Sequence, residues 1–205
     1  MLKVGLTGGI ACGKTLAANL FHAQGARLID ADVIAREVVE PGREGLERII
    51  QHFGTGVLHD NGALDRKKLG SIVFRDPEQR VELNRLLHPL IVNEIDRLLA
   101  ELSVSAPSAV AVVEVPLLIE CGLQKKFDTI VLVCADRKIQ LQRLMKRDSI
   151  TEKEAEERLG SQMPIGEKRH HADFVIENND TRSIVEKQVR EVYGLLCRVC
   201  KQKKL

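Results

Sequence analysis

The stretch that decides the fold reads Gly8-Gly9-Ile10-Ala11-Cys12-Gly13-Lys14-Thr15. It follows a short apolar run at residues 4–7 and precedes a segment whose apolar residues recur with helical period. Glycines let the backbone turn so that successive N–H groups point inward, and the N-terminus of the following helix adds a positive dipole. Two glycines, a lysine and a threonine at this spacing form the Walker A pattern, which predicts a loop that binds nucleotide phosphates.

The loop pattern also predicts roles for its members. Main-chain donors and the positive end of the helix should hold the phosphates of ATP through Gly8, Ala11, Cys12, Gly13, Lys14, Thr15 and Leu16. Lys14 should reach the β- and γ-phosphates and act in catalysis. The hydroxyl of Thr15 should ligate Mg²⁺.

Short runs rich in Val, Ile and Leu recur outward from the loop, at residues 4–7, 27–30, 109–115, 129–134 and 174–176. Runs of this kind predict buried strands, and helical segments separate them. The sequence therefore predicts an α/β protein with the fold of P-loop NTPases, in which helices cover both faces of a parallel sheet of about five strands.

The helical segments show start signals and one long uninterrupted pattern. Asp76 before Pro77, and Thr151 three residues before Glu154, are typical helix caps. From 83 to 102 the helical period continues across Pro89, which we expect to kink or divide the helix. Beside it, His88 is either a packed residue or a contact to the acceptor, and we favour packing.

One domain accounts for the whole chain 1–205, with a core at 1–40 and 105–205. Residues 41–104 contain helices and a turn but no convincing parallel strand. Insertions at the carboxyl ends of strands in an open α/β sheet lie over the ligand crevice. We therefore expect this insertion to bind the acceptor.

Composition and charge exclude other classes of function. With 31 basic and 29 acidic residues the net charge is +2, so no global field attracts nucleic acid or an anionic membrane. Lys201, Lys203 and Lys204 form a basic end typical of a solvated terminus. Five cysteines without a pairing pattern favour free thiols. We expect a soluble cytoplasmic protein, monomeric or weakly homo-oligomeric, without nucleic acid or membrane partners.

Two carboxylates, Asp30 and Asp32, follow the second predicted strand. The carboxyl ends of parallel strands share the edge at which α/β sheets bind ligands. A carboxylate there can orient an acceptor hydroxyl and accept its proton during phosphoryl transfer. Asp32 can also cap the helix that starts at Val33, and the two roles do not exclude each other.

Over essentially its whole length the chain resembles the dephospho-coenzyme A kinases. The motifs that carry the resemblance are Leu6-Thr7-Gly8-Gly9-Ile10, Ile29-Asp30-Ala31-Asp32, Leu87-His88-Pro89, Pro116-Leu117-Leu118 with Glu120, and Asn178-Asn179. The chain departs from the usual family residues at Ala11 and Cys12, where glycine and serine are common, and at Asp180, where glycine is common.

This resemblance implies ATP-dependent phosphorylation of the ribose 3'-hydroxyl of dephospho-CoA, the last step of coenzyme A synthesis. It makes Asp32 the general base, with Asp30 as second choice. Arg143 and Arg147, four residues apart on one helix face, would bind the ATP phosphates, and Arg143 would act in catalysis. A helical lid at about 148–170 would exclude water.

The spacing of the motifs leaves other functions open. Another small-molecule P-loop kinase of nucleotide-kinase type is the nearest alternative. A GTPase is disfavoured because the sequence has no Asn-Lys-x-Asp motif, and a non-catalytic ATP-binding module would not need Asp32. We also hypothesise that Cys12 is the most reactive of the five thiols, because a helix N-terminus and Lys14 both stabilise a thiolate. The alternative, which we favour slightly, is an inert small residue at a position where serine would also fit.

Overall fold

The predicted apolar runs form one parallel sheet in the computed structural model, which describes residues 1–203. The strands are β1 (Leu2–Gly8), β2 (Arg27–Asp30), β3 (Val110–Glu114), β4 (Thr129–Cys134) and β5 (Phe174–Glu177). Their spatial order is β2-β3-β1-β4-β5, and each neighbouring pair is parallel. The predicted α/β fold and strand count are confirmed for the described residues.

Helices connect the strands and form the stretch between β2 and β3. They are α1 (Lys14–Ala23), α2 (Ala31–Glu37), α3 (Glu44–Phe53), α4 (Arg66–Arg75), α5 (Pro77–Ser105), α6 (Arg137–Asp148), α7 (Glu152–Gly160), α8 (Ile165–Arg169) and α9 (Arg182–Gln202). Two short 3₁₀ turns occur at Thr55–Val57 and Leu123–Lys126.

The strand register brings the sequence motifs to one edge of the sheet. Leu6 of β1 and Asp30 of β2 are both register partners of Glu114 on β3. Gly8, the first residue of the loop, pairs in register with Val133 of β4. Because the strands are parallel, these positions all lie at the carboxyl edge.

The chain divides into two compact units. The loop unit is Met1–Asp30 with the chain from Leu99 onward, and the helical unit is Ala31–Leu98. The helical unit thus begins before residue 41, where the sequence suggested an insertion. Each unit has its own apolar core. That of the loop unit lies between the sheet and helices α1 and α9, and that of the helical unit is built on Val39, Ile49, Val57 and Leu69.

The predicted helix caps are present. Asp76 accepts hydrogen bonds from the backbone N–H groups of Glu78 and Gln79 at 2.9 and 3.2 Å, and Thr151 forms a capping box with Glu154. Helix α5 continues through Pro89, so the proline does not divide it. His88 lies on α5 and is exposed, although partial burial lowers the pKa of its ring, so the preference for a packed or capping residue over an acceptor contact stays a prediction.

Two further sequence expectations concern the surface and the end of the chain. Within residues 1–203, none of the helices has the length and apolar character that crossing a bilayer requires. Lys203 pairs with Asp128 at 2.5 Å. Lys204, which belongs to the expected basic end, lies outside the described residues.

Candidate active site

The loop between β1 and α1 needs glycine at two positions. A Cβ on Gly8 would lie 2.3 Å from the Val133 carbonyl oxygen, and one on Gly13 would lie 2.1 Å from Nδ2 of Asn178. Gly13 also has a φ of 87° and is the N-cap of α1. Ala11 adopts a φ of 57°, a costly conformation for a residue that carries a Cβ. The surrounding structure therefore holds the loop in its bent form.

An amide side chain that follows β5 braces the loop. Asn178 is 4% exposed, and its Nδ2 donates to the Cys12 carbonyl oxygen at 2.8 Å. Its Oδ1 accepts a hydrogen bond from Nη2 of Arg143, on α6, at 3.4 Å. Nη1 of Arg143 is buried and has no hydrogen-bond partner within residues 1–203. Because a buried charged donor is costly without an acceptor, Arg143 is suited to bind an anion beside the loop.

A carboxylate that sequence analysis missed faces the first turn of α1. Oγ1 of Thr15 donates to Oε1 of Glu114 at 3.3 Å, and Glu114 is 6% exposed at the end of β3. Asp30 is its register partner on β2. Hydroxyl and carboxylate oxygens are ligands that Mg²⁺ prefers. Thr15 and Glu114 could therefore hold the ion, directly or through water. The sequence signal that could have identified Glu114 is an acidic residue within the apolar run at 109–115.

The segment predicted as a lid makes several polar contacts in the loop unit. Oε1 of Gln162 accepts from the backbone N–H of Ile10 at 2.9 Å. Nζ of Lys168, fully buried on α8, lies 2.6 Å from Oε1 of Glu120. Nζ of Lys168 forms no hydrogen bond of regular geometry among the described residues, so its contact with Glu120 is an ion pair whose attraction offsets the cost of burying the lysine. Sequence analysis missed Lys168 because its partner is distant in sequence.

A cavity of about 330 Å³ lies beside the loop. This volume is in the range of small-molecule sites. Its walls come from the loop, from α6 and from the predicted lid. The lining residues are Gly9, Ala135, Asp136, Arg137, Gln140, Leu159, Gln162, Met163, Pro164 and Ile165.

The hypothesis that Cys12 is a reactive thiol is wrong. The side chain has no exposed surface and belongs to the core of the loop unit. Burial raises the pKa of the Cys12 thiol, although hydrogen bonds from the backbone and the charges of Lys14 and Lys168 act in the opposite direction. Sequence reasoning included the nearby charge but could not include the burial.

The family model described as dephospho-CoA kinase matches residues 2–183. This chain belongs to the dephospho-CoA kinase family. A dephospho-CoA kinase from Shouchella clausii is 42% identical over 197 residues, covering 96% of this chain and 98% of that protein. One from Syntrophotalea carbinolica is 41% identical over 199 residues, covering 97% and 92%.

Solved structures agree with this family and fold. A protein from Thermus thermophilus has a TM-score of 0.78 at 32% identity, covering 94% of this chain and 96% of that one. A dephospho-CoA kinase from Campylobacter jejuni has a TM-score of 0.65 at 28% identity with the same coverage. A shikimate kinase from Acinetobacter baumannii, with a TM-score of 0.51 at 16% identity, is similar in fold alone and covers 100% and 96%.

The two arginines expected to bind phosphate in this family member have different surroundings. Whereas Arg143 contacts the brace of the loop, Arg147 donates from Nε to Oδ1 of Asp148 at 2.7 Å. Arg158 of α7 donates to the other oxygen of Asp148 at 2.6 Å. The hydrogen bond from Arg147, followed by the charges of both arginines, lowers the pKa of Asp148. Arg158 therefore links α7 to the end of α6 through Asp148, and Arg147 contacts the same carboxylate from within α6.

The two candidate bases lie on either side of the boundary between the units. Asp30 ends β2 in the loop unit and is half-buried, next in register to Glu114. Asp32 is exposed in the first turn of α2, in the helical unit. Asp32 is therefore accessible to an acceptor, whereas Asp30 lies beside the candidate metal site.

Proposed function

We propose that this chain transfers the γ-phosphoryl group of ATP to the ribose 3'-hydroxyl of dephospho-CoA, giving coenzyme A and ADP as the final step of coenzyme A biosynthesis. The observation that carries the proposal is the match of the dephospho-CoA kinase family over residues 2–183. The geometry of the loop unit supports it, because a bent glycine loop, a lysine and a hydroxyl at a helix N-terminus are what phosphoryl transfer requires.

The donor side of the reaction depends on the loop. Main-chain donors of Gly8 and of residues 11–16 bind the phosphates, and Lys14 neutralises charge on the β- and γ-phosphates as it grows in the transition state. Arg143 supplies a second cation through the buried donor Nη1. Thr15 and Glu114 are the residues we propose to hold Mg²⁺, which offsets phosphate charge. Arg147 assists if it is released from Asp148.

On the acceptor side, Asp32 orients the 3'-hydroxyl and takes its proton. The hydroxyl oxygen forms a bond to the γ-phosphorus while the bond from that phosphorus to the β,γ-bridging oxygen breaks. ADP leaves with the electron pair of the broken bond, and the proton goes to Asp32. Helices α7 and α8 exclude water from the donor phosphates, which limits hydrolysis of ATP.

Steady-state turnover of MgATP, measured with and without dephospho-CoA, tests the proposal. We expect ADP release to depend on dephospho-CoA and to match coenzyme A formation one to one. Shikimate and nucleoside monophosphates, offered as competing acceptors, should not replace it. Equal turnover without any acceptor, or faster turnover with another alcohol, would contradict the proposed activity.

The cysteines and the net charge bear on the compartment and the partners of the enzyme. We infer a cytoplasmic enzyme, monomeric or weakly homo-oligomeric, that works without nucleic acid or a membrane surface. The five cysteines are free thiols, which suits a reducing compartment, and the net charge of +2 gives no field for polyanions. Size-exclusion chromatography with light scattering tests the assembly state.

A further inference from the structure

The helical unit contains a cavity of about 250 Å³ with an aliphatic lining. Its walls include Val39, Ile49, Leu69, Val73, Leu83 and Leu87. Val39 lies in the turn after α2 and the other residues lie on α3, α4 and α5, and three of them, Val39, Ile49 and Leu69, belong to the core of this unit. The cavity is partly open to solvent, so the end of a ligand can enter it from the surface.

One charged side chain lines the same cavity. Arg66, the first residue of α4, is exposed and donates from Nη2 to the carbonyl oxygen of Arg36 at 3.1 Å. That bond uses one of the five donors of a guanidinium. The cavity therefore combines an aliphatic interior with a cation whose remaining donors can meet polar groups of a ligand.

We propose that this cavity binds the thiol-terminated end of the pantetheine arm of dephospho-CoA, an assignment that rests on the proposed function. The end of the arm is an uncharged thioethyl group, which gains free energy when aliphatic side chains exclude water from it. The amide that precedes it lies at Arg66, whose guanidinium donates to the amide oxygen.

The shape and chemistry of the cavity exclude the other end of the acceptor. A volume of about 250 Å³ is below the range that encloses a whole drug-sized ligand, so it takes one end of a longer molecule. An adenine ring buried there would lose hydrogen bonds for its ring nitrogens and amino group, because the lining offers only one polar side chain.

A second cavity in the helical unit, of about 360 Å³, has an unsuitable lining for the arm. Its walls include Glu37, Glu44 and Glu94. The hydrogen bond from Arg97 lowers the pKa of Glu94, which keeps that carboxylate charged. Burying a thioethyl group against carboxylates would remove water from charges without replacing it. Although Arg43 and Arg97 also line it, its three carboxylates make this cavity less suited to the thiol end of the arm than the aliphatic one.

Gly70 provides a substitution that fills the site. It lines the cavity from α4, and a Cβ built on it meets no atom within 4 Å, so a larger side chain has room. Leucine also favours a helix over glycine by somewhat less than ~1 kcal/mol, so Gly70→Leu should fold. Gly194→Leu is the matched control, because Gly194 also lies in a helix, α9 of the loop unit, with no atom within 4 Å of its Cβ position.

The test compares dephospho-CoA with an analogue whose arm ends in an N-methyl amide and so lacks the terminal CH2–SH group. For the unsubstituted chain, we expect this truncation to raise KM about tenfold, the effect of losing one or two buried methylene-sized groups. Gly70→Leu should raise KM for dephospho-CoA by about the same factor and leave KM for the analogue nearly unchanged. Gly194→Leu should have the same KM for each acceptor as the unsubstituted chain. Neither substitution should change KM for ATP.

Two results overturn the proposal. Truncation that leaves KM unchanged shows that the thioethyl end is not bound. If the fold increases in KM caused by truncation and by Gly70→Leu multiply when the two are combined, the two changes act at different places. A loss with Gly70→Leu that circular dichroism traces to unfolding moves the test to Gly70→Met, whose flexible side chain must then reproduce the pattern. Failure of the unsubstituted chain to phosphorylate either acceptor instead contradicts the proposed function.

Discussion

The described residues of the loop unit bury more polar side chains than those of the helical unit. In the loop unit, buried polar side chains join residues far apart in sequence, as in Asn178 with Cys12 and Lys168 with Glu120. In the helical unit, ion pairs such as Arg48 with Glu44 join residues three or four positions apart on helix surfaces. Exposed pairs of this kind stabilise a protein by only about 0–1 kcal/mol.

This difference fits the ligands that we propose for the two units. The loop unit fixes main-chain donors and cations before ATP arrives, so its polar contacts must be rigid. The helical unit has an aliphatic core that borders a partly open cavity. Phe74 on α4 of this unit is 85% exposed. Burying the aliphatic end of a ligand needs shape more than directed donors. The donor site should therefore be sensitive to single polar substitutions, and the arm site to changes in volume.

The largest effect should come from the charge in the loop. We expect Lys14→Ala to reduce phosphoryl transfer roughly 1000-fold, because Lys14 serves phosphate charge while α1 packs through Ala17, Ala18 and Phe21. Circular dichroism should show an intact fold. Asn19→Ala, on the exposed side of the same helix, is the control and should retain full activity. Near-normal turnover of Lys14→Ala would remove the loop from the mechanism.

A second substitution separates chemistry in the helical unit from binding in the loop unit. Asp32→Asn should keep MgATP affinity, measured by calorimetry, and lose at least ~100-fold in turnover, the low end of what a positioned base contributes. Asp30→Asn is the paired variant and should lose less turnover. The opposite ranking would show that Asp30, not Asp32, takes the proton.

The strands and the loop were predictable because their signals are local. Apolar runs such as 129–134 identify buried strands, and a loop that binds through its main chain needs only its glycines, Lys14 and Thr15 in order. The sheet edge that carries Glu114 follows from the parallel register, which a single sequence does not state. Glu114 was therefore missed although its strand was found.

The brace and the ion pair were not predictable, because they join residues distant in sequence. Asn178 lies 166 positions from Cys12, and a family motif can mark it without giving its partner. The pKa of Cys12 was also not predictable, because it depends on burial by residues distant in sequence. Its neighbours in sequence favour a thiolate, while the fold encloses it and favours the thiol.

A third prediction tests whether the rigid contacts of the loop unit matter for the donor. Asn178→Ala removes the donor to the Cys12 carbonyl oxygen and the acceptor of Arg143. We expect KM for ATP to rise about tenfold, the cost of leaving one buried polar group unpaired. Asn179→Ala is the matched control, since Asn179 bonds to Asp136 outside the loop. Equal effects of both substitutions would show that the brace is not specific.

The smallest effect should come from alkylation of the thiols. Because Cys12 is enclosed and its pKa is raised, iodoacetamide at neutral pH should label the half-buried Cys121 and Cys197 before it. Activity should fall by less than about twofold while Cys12 stays unlabelled. Peptide mapping by mass spectrometry measures the order. Early labelling of Cys12 would show that the loop unit opens far more readily than its buried contacts allow.

The most direct test of the account follows the phosphoryl group itself. The chain is incubated with Mg²⁺, ATP labelled in its γ-phosphate and dephospho-CoA, and the position of the label is determined by mass spectrometry and phosphorus NMR. If the proposed transfer occurs, we expect the label on the ribose 3'-oxygen of coenzyme A, in amounts equal to the ADP formed. Label found only in inorganic phosphate, or on another position of the acceptor, would contradict it.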